Sequence, residues 1–302
     1  MPATRQDHLA PASDPGSARA SDPGSAPASD RGSAPAYDVL APAYDLLTTG
    51  YAYEPWLRAI ERVAVEHGLR GRRALDVACG TGKSLEALLE LGFDASGCDA
   101  SPGMAAVARR KLAGRADVFV ADMRSLAVRG AFDLVTCLDD ALNHLPTARD
   151  VCVALRAMGA NLGPGGLLAF DVNTLRAYRE TGDRIVQDGR RMVLWHGTPA
   201  RLDRPGGRAE VAIDVMSRQA DGLWRRTSAA WGHWHYPLAS IPELVTRAGL
   251  EVVAVRGQHA GGRLEPGADE DRHHKALFLA RRPLASPAPT RREAECPGSH
   301  RP

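Results

Sequence analysis

Apolar residues follow two alternating patterns between residues 74 and 172. Short, nearly continuous apolar runs such as ALDVA and LLAFDV are typical of strands buried on both faces of a sheet. The segments between these runs repeat apolar residues at helical spacing. This alternation predicts a doubly wound α/β fold with a mostly parallel, seven-stranded, Rossmann-like sheet. The predicted strands span residues 74–78, 93–99, 118–121, 133–138, 167–172, 250–256 and 275–280.

A different pattern covers residues 185–237. Apolar and polar residues alternate there at period two, Gly-rich turns separate the runs, and four tryptophans lie within the segment. Period-two alternation with such turns is typical of antiparallel strands that are buried on one face. We therefore expect an antiparallel insertion, and we expect it to cover the substrate side of the main sheet.

Composition divides the chain into three parts. Residues 1–36 repeat an eight-residue unit of small and turn-forming residues, beginning PASDPGSA. Such a segment buries too little apolar surface to offset the entropy of ordering, and residues 283–302 have a similar character. We expect a disordered arm at 1–36, one domain at 37–282 and a disordered tail at 283–302.

Charge and length exclude several classes of partner. The 302 residues carry a formal net charge of +2, which does not favour a nucleic-acid-binding protein. No apolar run approaches the roughly 20 residues of a membrane span, and the N-terminus lacks a secretory leader. We expect a cytoplasmic monomer or homodimer that binds a small-molecule acceptor, but neither nucleic acid nor a membrane.

The candidate chemistry begins at a glycine turn, DVACGTGKS, after the first strand. Gly82-Lys83-Ser84 ends like a triphosphate-binding P-loop, but the required earlier glycine would fall at Val77. The dinucleotide fingerprint G-x-G-x-x-G fits only in part, because its third glycine is replaced by Leu85. A turn built on Gly80 and Gly82 alone remains, and it brings the backbone close to a ligand at a helix N-terminus.

Two carboxylates follow the next strands. Asp99 ends the second strand, where it can accept hydrogen bonds from ribose hydroxyls. Asp122 and Met123 follow the third strand, where a carboxylate can accept a hydrogen bond from an adenine amino group while the methionine packs on the ring. The carboxyl ends of parallel strands are the usual ligand site of this architecture.

These motifs together (DVACGTG, GCDAS, ADMR and LGPGG) closely resemble those of the class I S-adenosylmethionine (SAM)-dependent methyltransferases, over about residues 37–282. The resemblance implies SAM as the cofactor and S-adenosylhomocysteine as its product. It also implies a tyrosine that closes over SAM, for which we prefer Tyr44 to Tyr37. The cofactor-binding residues that it implies are Tyr44, Ala78, Gly80, Thr81, Gly82, Asp99, Ala100, Met104, Asp122, Met123 and Leu138.

The segment after the fourth strand, LDDALNH, lacks the N-P-P-Y or D-P-P-Y motif of nucleic-acid and protein-glutamine methyltransferases. Asp139, Asp140 and His144 are the candidate catalytic groups, holding or deprotonating an acceptor amine or hydroxyl. Alternatively, the aspartates cap a turn and His144 bonds a loop. His233 and His235 either line the substrate cover or belong to the buried face of a sheet.

The sequence thus predicts methyl transfer to nitrogen or oxygen of a small molecule, in the manner of natural-product and amino-sugar methyltransferases. The alternatives are a tRNA or protein methyltransferase and a non-catalytic partner subunit that keeps the fold. No metal site is expected, and His273-His274 is expected to be a solvated pair.

Overall fold

The computed structural model describes residues 32–180, 182–197 and 206–284. Most of the predicted arm and tail lie outside these residues. The predicted boundary of the arm at residue 36 is wrong, because α1 (Ala34–Leu40) already begins at Ala34. Its Ala36 and Leu40 are buried against the inserted sheet, so the apolar contacts that the repeats lack begin here.

Helices at the N-terminal end lead into the main sheet. A short 3-10 turn at Ala41–Ala43 joins α1 to α2 (Tyr44–Leu47), and α3 (Tyr53–Glu66) follows. Gly68, at φ +93°, follows the end of α3 and has the left-handed conformation that glycine adopts readily after a helix.

The main sheet has eight strands in the order β11-β10-β12-β5-β4-β1-β2-β3. The five strands from β1 to β5 run parallel, and β12 lies antiparallel between β5 and β10. All seven predicted strands are present, and β11 is a three-residue addition at the edge. The strands are β1 (Arg73–Val77), β2 (Asp94–Asp99), β3 (Asp117–Val120), β4 (Phe132–Cys137), β5 (Leu162–Asn173), β10 (Glu251–Gln258), β11 (Leu264–Pro266) and β12 (Lys275–Arg281).

Helices cover both faces of this sheet, as the alternating pattern predicts. The helices are α4 (Lys83–Glu90), α5 (Pro102–Leu112), α6 (Ala148–Ala160), α7 (Leu175–Glu180) and α8 (Ile241–Arg247). One apolar core contains buried residues of α3, α4 and α5, and a second contains those of α6 and α8. The carboxyl ends of β1 to β5 therefore open at a single edge between two helical layers.

The turn lacks the third glycine of the dinucleotide fingerprint, and a glycine of the neighbouring strand β2 makes up for it. Leu85 is fully buried in the first turn of α4, and a Cβ on Gly97 of β2 would lie only 2.7 Å from Leu85 Cδ2. Gly97 thus makes the space that lets α4 approach the sheet despite the leucine. The sequence did not predict this exchange.

The inserted sheet agrees with the predicted insertion. Its four antiparallel strands lie in the order β6-β7-β8-β9: β6 (Arg184–Gln187), β7 (Arg191–Gly197), β8 (Arg208–Arg218) and β9 (Trp224–Trp234). Val211, Ile213 and Trp231 pack against α1 and α2. The inserted sheet and these helices therefore stand together above the carboxyl edge of the main sheet.

Candidate active site

Two cavities meet at the carboxyl edge of the main sheet. The first cavity is lined by nine of the eleven residues predicted to bind the cofactor. They are Tyr44, Ala78, Gly80, Thr81, Asp99, Ala100, Met104, Met123 and Leu138. Two of the three candidate catalytic residues, Asp139 and His144, also line it, so most members of both predicted sets lie together.

The glycine turn is tied to the end of β2 by Asp99. Asp99 accepts hydrogen bonds from the backbone N–H of Gly80 at 2.9 Å and of Ser101 at 2.8 Å, one on each carboxylate oxygen. Gly80 (φ +55°) and Gly82 (φ +85°) are left-handed, and so is Ala78 (φ +60°). Burial raises the pKa of Asp99, although both backbone hydrogen bonds lower it. Each oxygen keeps a lone pair for a ribose hydroxyl.

Gly82 and Asp122 do not line the first cavity. Gly82 instead packs beneath it, because a Cβ there would lie 3.1 Å from Ala108 Cβ on α5. Asp122 forms a salt bridge with Arg124 at 2.6 Å and caps a short 3-10 turn. Burial alone would raise the pKa of Asp122, but the hydrogen bonds from Arg124 lower it. Contact of Asp122 with adenine stays a prediction.

A cover segment, residues 34–48, closes the first cavity from above. A Cβ on Gly80 would meet the Tyr44 ring at 3.9 Å, and Tyr37 lines the same cavity, so the structure gives both tyrosines this position. Asp45 accepts a hydrogen bond from Thr81 Oγ1 at 2.6 Å and pairs with Lys111 at 2.8 Å. The cover is therefore fastened to the glycine turn by polar contacts as well as by packing.

Lys83, the residue behind the P-loop likeness, belongs to this fastening. Its ammonium donates to the hydroxyl of Thr48 at 2.7 Å and to the carbonyl oxygen of Thr48 at 3.0 Å, just past the end of α2. A lysine at the C-terminal end of a helix interacts favourably with the helix dipole and the last carbonyl groups. The lysine thus holds the cover segment, and these contacts give it a structural role in place of a phosphate-binding one.

The second cavity, of about 630 Å³, lies between the main sheet and the inserted sheet. It shares Tyr37, Tyr44, Tyr53 and Asp139 with the first cavity. Asp140, His233 and Lys275 line only the second cavity. A group held in one cavity meets a group held in the other at this shared wall.

Four polar groups form a chain across the shared wall. His144 Nε2 lies 3.1 Å from the Tyr37 hydroxyl and 3.1 Å from His233 Nε2. His233 Nε2 lies in turn 3.6 Å from Asp140 Oδ2. Burial, together with His233 and Lys275, lowers the pKa of His144 well below its usual value, so the imidazole is neutral at pH 7. The sequence left open whether His233 lines the substrate cover or belongs to the buried face of a sheet. In the structure His233 contacts the shared wall.

His235 has a structural position instead. Its Nδ1 accepts a hydrogen bond from the Gly206 N–H at 3.1 Å, and its Nε2 therefore donates to Glu270 at 3.0 Å. It does not line either cavity. His233 in β9 and His235 just after it thus divide between the two roles that the sequence left open.

The expectation of a solvated pair is wrong for His273, whereas His274 is half-buried and contacts Glu180 at 2.7 Å. His273 is 2% exposed, because its ring fills the space beside Gly257 and donates to Glu265 at 2.7 Å. His259 also contacts Glu265, and these three side chains lie close enough to hold a metal ion. The His273 Nδ1, however, accepts from the Asp269 N–H, which leaves the hydrogen on Nε2, the atom facing Glu265. His273, His259 and Glu265 therefore form a cluster held by polar contacts between their side chains.

Asp140, His144 and His233 also lie within ligating distance of one another. Here the Lys275 ammonium already lies 2.7 Å from Asp140 Oδ1. A second cation beside this ammonium would be repelled by it. The group is better suited to binding N–H or O–H groups.

Residues 74–166 match the family described as "Methyltransferase domain". The chain carries a SAM-dependent methyltransferase domain. YqeM of Bacillus subtilis (strain 168), assigned to the methyltransferases, is 36% identical to it over 141 residues, 46% of this chain. The match covers only 56% of the YqeM chain, and thus little more than half of that relative's length.

Two further relatives of the methyltransferase domain are matched over most of their length. The cypemycin N-terminal methyltransferase of Streptomyces sp is 27% identical over 205 residues, 66% of this chain and 80% of that one. The structure of the sugar N-methyltransferase KedS8 from Streptoalloteichus sp ATCC 53650 superposes with a TM-score of 0.63 at 28% identity. That likeness covers 80% of this chain and 93% of KedS8.

The residues of the first cavity fit SAM. The glycine turn offers a close approach of the backbone where a side chain on Gly80 would contact Tyr44. Asp99 supplies acceptor oxygens for the ribose, and Ala121, Met123 and Met104 supply an apolar surface for a base. When bound, SAM supplies an electrophilic methyl group on a sulfonium sulfur.

Several side chains of this methyltransferase site were not predicted from the sequence, namely Tyr53, Asp76, Lys83 and Lys275. The sequence also left the role of His233 open. Asp76 is 1% exposed and accepts hydrogen bonds from Ser84 at 2.5 Å and Thr136 at 2.7 Å. An acidic residue inside an apolar strand was a usable signal for Asp76. Lys275 gave a similar signal, because it opens an otherwise apolar buried strand.

No helix within the described residues is long and apolar enough to cross a membrane. The cytoplasmic location, the oligomeric state and the absence of nucleic-acid partners stay predictions.

Proposed function

We propose that this methyltransferase transfers a methyl group from SAM to a nitrogen atom of a small molecule. The observation that carries the proposal is the shared wall of the two cavities. Tyr37, Tyr44, Tyr53 and Asp139 border both, and Asp140 borders the second cavity directly behind them. A donor in the first cavity and an acceptor in the second would come together here, which is the alignment that methyl transfer requires.

The acceptor chemistry follows from the polar groups of the second cavity. An amine must be uncharged to attack, and forming its bond to carbon releases one proton. Asp140 Oδ2 has no hydrogen bond within the described residues and lies nearest to His233, so it can accept that proton. His144 lies on the first-cavity side of the wall, where burial keeps it neutral and where it contacts the hydroxyl of Tyr37, a residue that borders both cavities.

Nitrogen is preferred to oxygen for two reasons. The two relatives matched over most of their length are named for nitrogen acceptors, a peptide N-terminus and a sugar nitrogen. The Oδ2 of Asp140 beside the wall also suits an amine, because it can accept a hydrogen bond from the N–H group that attacks. A role in natural-product biosynthesis is part of the proposal and rests on the same relatives.

The test is a screen of paired acceptors with the full chain and SAM, following S-adenosylhomocysteine release. Each pair consists of an amine and its blocked or hydroxyl counterpart: an amino sugar and the parent sugar, or a short peptide and its N-acetylated form. We expect turnover on an amine member and none on its counterpart. Turnover confined to hydroxyl members, or confined to tRNA or protein, would contradict the proposal.

An Asp140→Asn variant sharpens this test. It should lower kcat for the responding amine by about 10²-fold, the size expected for a lost proton acceptor, and leave the affinity for S-adenosylhomocysteine unchanged. Asp94→Asn, at the start of β2 and outside the lining of both cavities, is the matched control. Equal activity of Asp140→Asn and the wild type would remove Asp140 from the chemistry.

A further inference from the structure

The turn that carries Asp139 and Asp140 is held in an unfavourable backbone conformation. Both residues are left-handed, with φ values of +60° and +56°, and neither is glycine. Two such residues in succession cost a few kcal/mol together, and they persist only where the surroundings hold them. The turn therefore needs a specific support.

Asp171, at the end of β5, provides the first part of that support. Its carboxylate accepts the backbone N–H of Asp139 at 2.9 Å and that of Asp140 at 2.6 Å, one on each oxygen. Two successive N–H groups around one anion form an anion nest, and here the anion belongs to the protein itself. Asp171 is fully buried, so it holds the turn from below and has no access to either cavity.

Lys275, the first residue of β12, provides the second part. Its ammonium lies 2.5 Å from Asp139 Oδ1, 2.7 Å from Asp140 Oδ1 and 3.9 Å from Asp171 Oδ1. Strand β12 lies directly beside β5, with Lys275 opposite Asn173, and this pairing brings the lysine to the turn. One cation thus neutralises part of the charge of three carboxylates.

The contacts with Lys275 and Tyr53 occupy three of the four carboxylate oxygens of Asp139 and Asp140. Asp139 uses its second oxygen to accept the Tyr53 hydroxyl at 3.1 Å. Asp140 Oδ2 accepts no hydrogen bond within the residues that the structure describes, and its nearest polar neighbour is His233 at 3.6 Å. The result is a single open acceptor oxygen at the border of the second cavity.

We infer that Lys275 and Asp171 are positioning residues for methyl transfer: they fix the Asp139-Asp140 turn so that Asp140 Oδ2 alone faces the acceptor. Neither acts on the methyl group directly. Burial alone would lower the pKa of Lys275, but the three carboxylates raise it well above its usual value, so it is charged at any physiological pH. The kinetic part of this inference rests on the proposed function, whereas its electrostatic part does not.

The first test is an NMR titration of the His233 imidazole in the full chain without acceptor. The charged groups that act on His233 are Asp140, Asp139 and Lys275. Lys275→Met removes the cation and leaves the carboxylates, so the pKa of His233 should rise by about one unit or more. Lys275→Arg keeps the charge and should leave that pKa close to the wild-type value. An unchanged His233 pKa in folded Lys275→Met would overturn the inference.

A double variant covers the case in which Lys275→Met does not fold because of its unpaired carboxylates. Lys275→Met with Asp139→Asn removes one cation and one anion together. The pKa of His233 should again rise, but by less than in Lys275→Met alone. Arg281→Met, at the far end of β12, is the control that should leave the titration unchanged. A double variant that titrates like the control would equally reject the assignment.

The second test is kinetic and uses the amine found in the acceptor screen. Lys275→Met should lower kcat/KM for the amine by at least tenfold, with S-adenosylhomocysteine affinity within twofold of wild type, and Lys275→Arg should restore part of the loss. A purely structural role would weaken both properties together. If the wild type methylates no amine, the proposed function fails, and the His233 titration still decides the role of Lys275.

Discussion

Lys83 Nζ lies 2.7 Å from the Thr48 hydroxyl and thereby joins the glycine turn to the end of the cover segment. The first cavity measures about 110 Å³ with the cover in place, below the roughly 300 Å³ of the smallest usual ligand pockets. We therefore expect the cover to move outward when a cofactor enters or leaves. Its polar contacts with the turn oppose that movement.

Lys83→Met should accelerate the release of S-adenosylhomocysteine. Loss of one or two charged hydrogen bonds weakens the closed cover by about 1–2 kcal/mol, which corresponds to roughly a 5- to 30-fold higher dissociation rate constant. Stopped-flow fluorescence measures this rate directly. Arg110→Met, on the exposed side of α5, is a matched control that should leave it unchanged. Identical rates for all three proteins would show that Lys83 does not restrain the cover.

Asp99→Asn should weaken the binding of S-adenosylhomocysteine by about 1–3 kcal/mol, because a charged acceptor for the ribose and for two backbone N–H groups is lost. Isothermal titration calorimetry gives the affinity. Asp94→Asn, at the start of the same strand, is exposed and should bind like the wild type. A folded Asp99→Asn protein with wild-type affinity would reject the ribose assignment.

The pH dependence of stability should reveal the buried Asp76. Burial raises its pKa to about 6, against an ordinary value of 3.8. The folded state therefore holds the proton more tightly, and this contribution to stability is present below about pH 4 and lost as pH rises through about 6. Between pH 5 and 7, the free energy of unfolding of the wild type should fall by about 1 kcal/mol relative to Asp76→Asn.

Denaturant unfolding of both proteins at pH 5, 6, 7 and 8 checks this sign. A difference between them that stays constant across the series would show that Asp76 does not titrate in this range. The result is independent of catalysis, since no acceptor or cofactor is present.

Gly97→Ala should destabilise the fold by about 1–3 kcal/mol, because the new methyl group would overlap Leu85. Shortening the leucine removes the closest of the new contacts and leaves those with Cys79 Sγ at 3.1 Å and Cys79 Cβ at 3.2 Å, so Gly97→Ala with Leu85→Ala should cost less than the sum of the two single changes. Gly182→Ala has no neighbour within 4 Å and serves as the control. Additive costs in the double variant would contradict the proposed exchange of space.

The parts of the site that could be predicted from the sequence lie next to strand ends. Gly80 and Met123 follow β1 and β3, Asp99 is the last residue of β2, and parallel strands bring their ends to one edge whatever the rest of the chain does. The alternation of apolar runs fixes those strands, and the structure confirms them. Local pattern was sufficient there.

The parts that could not be predicted depend on which strands become neighbours. Lys275 reaches Asp140 only because β12 lies between β5 and β10, an order that apolar periodicity does not contain. His233 reaches His144 only because the inserted sheet folds over the same edge. For Asp122, the motif position predicts a base contact that stays a prediction, and the salt bridge with Arg124 is a partner that the motif does not indicate.

The most direct measurement is a crystal structure of the full chain with S-adenosylhomocysteine. We predict the nucleoside between Asp99 and Met123, the amino-acid part at the Gly80 turn, and the sulfur at the wall formed by Tyr37 and Asp139. Density for S-adenosylhomocysteine at any other place, or a sulfur turned away from the second cavity, would contradict it.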